Sequence, residues 1–194
     1  MRVTHSKGTF SGAMKPDIGY TLKLMRQLHE GQTDHSGRPY ALHPERIAQN
    51  VKIIAPHAGD DVVMAALLHD TIEDCGIDEA FLRQKGYSED CITMVSLVSK
   101  PDNDERPYSQ VIDDLIASGH QGALILKIAD NMDNLHPERV RNLMAHDPEK
   151  AQRLRERYRA SIEKLCLATG IHKDRVFELI DNSPNLENMD MALK

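Results

Sequence analysis

A chain of 194 residues has the length of one domain and can bury a core without disulfides or a structural metal to hold it. Lys and Arg number 24 against 30 Asp and Glu, a formal net charge of −6 with a pI near 5.9, which excludes a broadly basic surface for a nucleic-acid polymer. Three cysteines (Cys75, Cys91, Cys166) without C-x-x-C spacing fit reduced thiols of a cytoplasmic protein, and the polar start of the chain and the short apolar runs predict neither signal peptide nor membrane span.

The chain reads as helical almost throughout. Pro16-Asp17 is a helix start, followed by Ile18, Leu22, Met25 and Leu28 at helical spacing. Gly31 to Tyr40 is rich in turn formers. His43-Pro44 is expected to open a second helix, with Ile47, Val51 and Ile54 facing inward. Asp60 caps a third, whose run Val62 to Leu68 is apolar on every side and so belongs at the centre of the molecule. Shorter helices are expected over Asp78–Lys85 and Ser88–Ser99, then a charged loop over Lys100–Pro107. An amphipathic helix carries Tyr108, Val111, Ile112, Leu115 and Ile116. A second central helix spans Ala123–Asn134. His136-Pro137 and Asp147-Pro148 each read as a cap and a start. The long helix that follows buries Leu154, Tyr158, Ile162 and Leu165 and stops at Gly170, and Val176, Leu179 and Ile180 mark one more. No run of alternating β-branched residues competes, so the predicted fold is all-α, a single domain over 17–182 with flexible flanks at 1–16 and 183–194.

Both central helices turn abruptly from apolar to acidic. Leu67-Leu68 runs into His69-Asp70-Thr71-Ile72-Glu73-Asp74, and Ile128-Ala129 into Asp130-Asn131-Met132-Asp133-Asn134. Carboxylates at the ends of buried helices are costly unless a cation compensates them, and a helix C-terminus itself favours a cation. Spacings of three and four residues (His69 with Glu73, Asp70 with Glu73 and Asp74) put these groups on adjoining helical faces. His43, at the start of the preceding helix, can reach the same point. The expected metal ligands are therefore His43, His69, Asp70 and Asp130. Two imidazoles and two carboxylates accept several first-row divalent ions and leave positions open for water and a phosphate oxygen.

Three blocks in this order, Ser36-Gly37-Arg38-Pro39-Tyr40-Ala41-Leu42-His43-Pro44, Ala65 to Asp74 with its HDxxED core, and Lys127 to Asn134, resemble the HD-domain metal-dependent phosphohydrolases. Within them the chain is most similar to the hydrolase domain of the RelA/SpoT homologues, in the small alarmone hydrolase form, over about Tyr20 to Leu165. The resemblance implies an all-α HD fold and a Mn²⁺-dependent enzyme, with no synthetase domain, that removes the 3′-pyrophosphate of guanosine tetra- and pentaphosphate. It assigns His43, His69, Asp70 and Asp130 to the metal, Glu73 and Asp74 to catalysis, and Asn134 to the substrate.

One block departs from that pattern. The family commonly carries an Arg-Lys pair before Ser36-Gly37, where this chain has Asp34-His35. An acidic group suits the N6 donor of adenine better than the O6 and N7 acceptors of guanine, so (p)ppApp stands beside (p)ppGpp as an expected substrate, unless Asp34 points to solvent. His35, Ser36 and Arg38 are the substrate-binding candidates of this segment. Among Arg153, Arg155, Arg157 and Arg159 on the long helix, Arg155 is the one expected to face a phosphate, and Tyr158 either meets the substrate or packs in the core. The expected partner is a small purine nucleotide, not a nucleic acid or a membrane. A nucleotide or NADPH phosphomonoesterase and a non-catalytic nucleotide sensor are the competing functions.

Overall fold

The structure, a computed structural model, describes residues 15–34, 37–100 and 104–191, and among these residues every regular element is helical. α1 (Ile18–Leu28) begins where Asp17 accepts the Tyr20 amide at 2.6 Å, and it buries Thr21, Leu24 and Met25. α2 (Leu42–Ile54) starts one residue before the expected His43. Pro44 thus falls in the first turn, where the missing N–H is no loss. α3 (Asp60–Leu68) buries every residue from Val62 to Leu68, as an all-round apolar helix must.

α3 does not continue through the acidic run. It stops at Leu68, His69 and Asp70 form a turn, and a four-residue α4 (Thr71–Asp74) follows. The physical reason is local: the Thr71 hydroxyl donates to Leu68 C=O at 2.7 Å and the His69 ring meets Ala66 C=O at 3.0 Å, so side chains intercept carbonyls at the helix end. The four-apart pairing of His69 with Glu73 on one continuous helix therefore does not exist.

Next come α5 (Glu79–Gln84), capped by Asp78, and α6 (Glu89–Val98), capped by Ser88. α7 (Tyr108–Ala117) leads to α8 (Gln121–Asn134), which starts two residues earlier than the apolar pattern predicts. α9 (Pro137–His146) and α10 (Pro148–Thr169) open at the two predicted proline caps. Gly170, at φ 76°, ends α10. α11 (Lys173–Asp181) and α12 (Leu186–Met191) complete the described chain.

α8 is the hub, packed against α2, α10, α6 and α3, and α3 is in turn enclosed by α1, α2 and α6. Gly122 permits the close approach at the start of α8: a Cβ there would sit 2.5 Å from Met94 Sδ and 3.2 Å from Val62 Cγ2. The α3 and α8 C-terminal ends, with the first turn of α2, are thereby brought to one place.

Residues 183–191 pack on the domain, within the flank 183–194 expected to be flexible. His136 Nε2 reaches Pro184 C=O at 2.9 Å, Glu138 accepts the Leu186 amide at 2.9 Å, and Leu186 is buried. Asp190 is buried as well, against arginines of the segment 37–46. One apolar anchor and three polar ones compensate the entropy of ordering this short piece.

Candidate metal centre and cavity

His43 lies on the first turn of α2, His69 caps α3, and Asp130 lies near the end of α8. One ligand atom from each falls within 4.8 Å of the others. Their identities follow from the hydrogen bonds behind the rings. His43 Nδ1 donates to Asp133 Oδ2 at 2.7 Å and His69 Nδ1 to Ala66 C=O at 3.0 Å, so each imidazole turns its Nε2 to the centre. His43 Nε2 is 3.7 Å from Asp70 Oδ2 and 3.8 Å from Asp130 Oδ1. His69 Nε2 approaches Asp70 Oδ2 to 2.8 Å, yet misaligned, and this buried nitrogen has no hydrogen-bond partner. An orphaned buried nitrogen aimed at two carboxylates is what a divalent ion would satisfy, and the N₂O₂ donor set suits one.

The electrostatics agree with that fit. Burial opposes ionisation of Asp70, but His69, His43 and the Tyr40 hydroxyl hold its carboxyl well below the usual range. Burial likewise opposes the charge on Asp130, and Lys127, His69 and His43 outweigh it. His69 resists protonation through burial, yet Asp70 and Asp130 raise its pKa to about 9. The carboxylate pair thus attracts positive charge to this point.

Second contacts fix the ligands. Tyr40 donates to Asp70 Oδ2, and burial with the nearby Asp70 charge raises the Tyr40 pKa, so the phenol keeps its proton. Asp130 receives Lys127 Nζ at 2.8 Å on one oxygen and Asn134 Nδ2 at 2.7 Å on the other. Asp133 receives Arg46 through two nitrogens (2.6 and 3.1 Å) and Arg139 at 2.9 Å. Tyr40, Lys127 and Asp133 were not singled out by sequence as site residues. The signal was present: Arg46 is three residues after His43, and Asp133 three after Asp130, so each pair shares a helix face.

A cavity of about 310 Å³ opens beside the centre, lined by Thr33, Asp34, Tyr40, His43, Asp70, Asp130, Asn134 and Arg139. Asp34 therefore faces the cavity, while one of its oxygens also accepts the Arg38 amide at 3.0 Å. Asn134 lines it too, bonded to Asp130 and to Arg139 at 3.2 Å. His35 and Ser36 lie outside the described residues.

Other expected site residues are not brought to the cavity wall. Arg38 pairs instead with Asp190 at 3.2 Å, and Arg155 is exposed on α10. Tyr158 packs against the core, edge-on to Tyr108 at 5.9 Å between centroids. Glu73 and Asp74 are exposed on α4 outside the lining. Glu73 accepts the Lys100 amide, and although the residue as a whole is exposed, partial desolvation of its carboxyl, with the Asp70 charge nearby, raises its pKa. Among the described residues no helix is long and apolar enough to cross a membrane.

Known proteins resemble both chain and fold. A guanosine-3′,5′-bis(diphosphate) 3′-pyrophosphohydrolase of Vibrio cholerae is 30% identical over 157 residues, covering 77% of this chain and 21% of that protein. The bifunctional (p)ppGpp synthase/hydrolase SpoT of Escherichia coli K12 is 30% identical over the same length and the same shares. The chain thus spans about a fifth of these relatives. A solved metazoan ortholog of SpoT, described as hydrolysing ppGpp with a role in starvation responses, superposes with a TM-score of 0.63 at 21% identity, over 83% of this chain and 93% of that one. The HD domain pattern matches residues 21–159, which hold all three converging helix ends, and the chain belongs to the HD-domain family.

Proposed function

We propose that this chain is a metal-dependent 3′-pyrophosphohydrolase of purine alarmone nucleotides, with Mn²⁺ the expected ion. The observation that carries the reading is the approach of ligand atoms of His43, His69 and Asp130 to within 4.8 Å of one another, with Asp70 Oδ2 3.7 Å from His43 Nε2 and 2.8 Å from His69 Nε2, beside a cavity that His43, Asp70 and Asp130 line. The relatives named as (p)ppGpp 3′-pyrophosphohydrolases supply the substrate class.

In this proposal His43, His69, Asp70 and Asp130 hold the ion, which supplies Lewis-acid polarisation of a phosphoryl oxygen and acidifies water. Arg139 and Asn134, which line the cavity beside Asp130, bind the 3′-diphosphate. Glu73, whose carboxyl feels the charges of Asp70 and Lys127, and Asp74 next to it, both on α4 just past the ligands, orient the attacking water and accept its proton. The water oxygen joins the phosphorus attached to the ribose, and the bond from phosphorus to the 3′-oxygen breaks. Pyrophosphate leaves, and the 3′-oxygen takes up a proton. Tyr40, kept protonated, is placed to hold Asp70 as charge develops.

A second reading concerns the base. Asp34 lines the cavity, and a carboxylate there suits a base donor, the N6 amine of adenine or the N1–H and N2 amine of guanine, so the adenosine counterpart stands beside the guanosine nucleotide as a substrate. One experiment tests both readings: incubation with Mn²⁺ and ppGpp, ppApp, NADPH and nucleoside monophosphates, with products identified. Pyrophosphate release from ppGpp, ppApp or both is the expected result, and the ratio of the two rates reads the base preference. Orthophosphate as the product would make the chain a phosphomonoesterase, and no turnover of any nucleotide would make it a sensor.

A further inference from the structure

Asp190 sits on α12, at the far end of the chain from His43, and yet is wired to it. Its Oδ1 accepts Arg46 Nη1 at 3.0 Å and its Oδ2 lies 3.2 Å from Arg38 Nη2, with Asp190 only 8% exposed. Arg46, 1% exposed, gives its Nε and Nη2 to Asp133, and Asp133 accepts His43 Nδ1. A buried chain of alternating charge thus runs from Asp190 through Arg46 and Asp133 to the imidazole whose Nε2 faces the centre. Arg139 closes on Asp133 from the cavity side.

We propose that Asp190 is a positioning residue that sets the metal affinity of His43 from α12. The inference rests on the metal-site reading above. Among the described residues of this cluster, Arg38, Arg46 and Arg139 face two carboxylates, Asp133 and Asp190. Without Asp190, Arg46 has only Asp133 to neutralise it. Asp133 then serves two guanidinium groups alone and gives less to His43, whose Nε2 becomes a poorer donor. Net positive charge also rises next to the ion. Partners behind a ligand imidazole commonly change metal affinity 10- to 100-fold. Asp190 has a second hold as well, through Arg38, on the loop that carries Thr33, Asp34 and Tyr40 to the cavity.

The test is the Mn²⁺ dissociation constant of the full chain, read by electron paramagnetic resonance, for wild type, Asp190→Asn, Asp190→Glu, Arg46→Lys and Val176→Ala. Asp190→Asn is expected to weaken binding about tenfold, with Asp190→Glu recovering most of it. Arg46→Lys, which keeps the charge but cannot bridge both carboxylates, is expected to weaken it similarly, and adding Asp190→Asn to it costs little more. Val176→Ala on α11 lowers the melting temperature without changing the Mn²⁺ constant, which separates positioning from plain stability. A folded Asp190→Asn protein with wild-type affinity would overturn the proposal. If that variant does not fold, wild-type affinity in Arg46→Lys does the same. A wild-type chain that binds no Mn²⁺ removes the metal-site reading itself, a failure visible before any variant is compared.

Discussion

Asp133 is the side chain on which most of the site's geometry depends. It is buried, and it binds His43 Nδ1, Arg46 and Arg139 together, fixing the tautomer that turns Nε2 to the centre. Asp133→Ala leaves two arginines without their shared partner. The expected cost is about 3–5 kcal/mol of stability, as for any broken buried ion pair, with Mn²⁺ affinity down about 10- to 100-fold. Denaturant unfolding and metal titration of the same preparation check both. Glu73 is the opposite case: among the described residues it hydrogen-bonds to the Lys100 amide and feels the charge of the ligand Asp70 without bonding to it. Glu73→Ala is expected to cut kcat by about 10²- to 10⁴-fold while metal content, measured by elemental analysis, stays at the wild-type level. A Glu73→Ala enzyme with full activity would remove this residue from the mechanism. The acidic run announced His69, Asp70 and Asp130 in the sequence. It did not reveal which neighbours would turn inward, because Asp133 and Asp74 look alike until the partner arginines of α2 and α9 are placed.

Helices were the most legible feature of the chain and α3 the least legible at its ends: Asp60, expected to cap it, is its first residue, and Gly59 is the cap. Asp17, Asp78, Ser88, His136 and Asp147 all cap where the sequence suggested a start. Asp147 receives the Lys150 amide at 2.9 Å at the head of α10, the longest helix. Asp147→Ala is expected to lower stability by about 1 kcal/mol, whereas Leu68→Ala in the closed core of α3 should cost about 2–5 kcal/mol. Chemical denaturation separates the two. What escaped the periodicity was the break after Leu68, since the intercepting bonds of Thr71 and His69 are side-chain events that hydrophobic spacing does not register. Its consequence is functional: Glu73 and Asp74 do not continue α3 on one face with His69, and neither lines the cavity.

For the molecule as a whole, α8 and α3 hold two acidic helix ends together at the expense of concentrated negative charge. A bound dication would relieve that strain and be linked to folding. At a free Mn²⁺ concentration of 100 times its dissociation constant the folded state gains about 2.7 kcal/mol, so the melting temperature should rise with Mn²⁺ and fall back on chelation. The all-α architecture and the order of the motifs followed from sequence alone. The ordering of α12 did not, because a short polar segment with one leucine resembles a tail until Arg46 and Arg38 supply its counter-charges. The most direct test of the account is an anomalous difference map from crystals of the chain grown with Mn²⁺. The account predicts one strong peak contacted by His43 Nε2, His69 Nε2 and the carboxylates of Asp70 and Asp130, and no peak in crystals of Asp130→Ala. A Mn²⁺ site elsewhere, or none at this cluster in the wild-type protein, would contradict it.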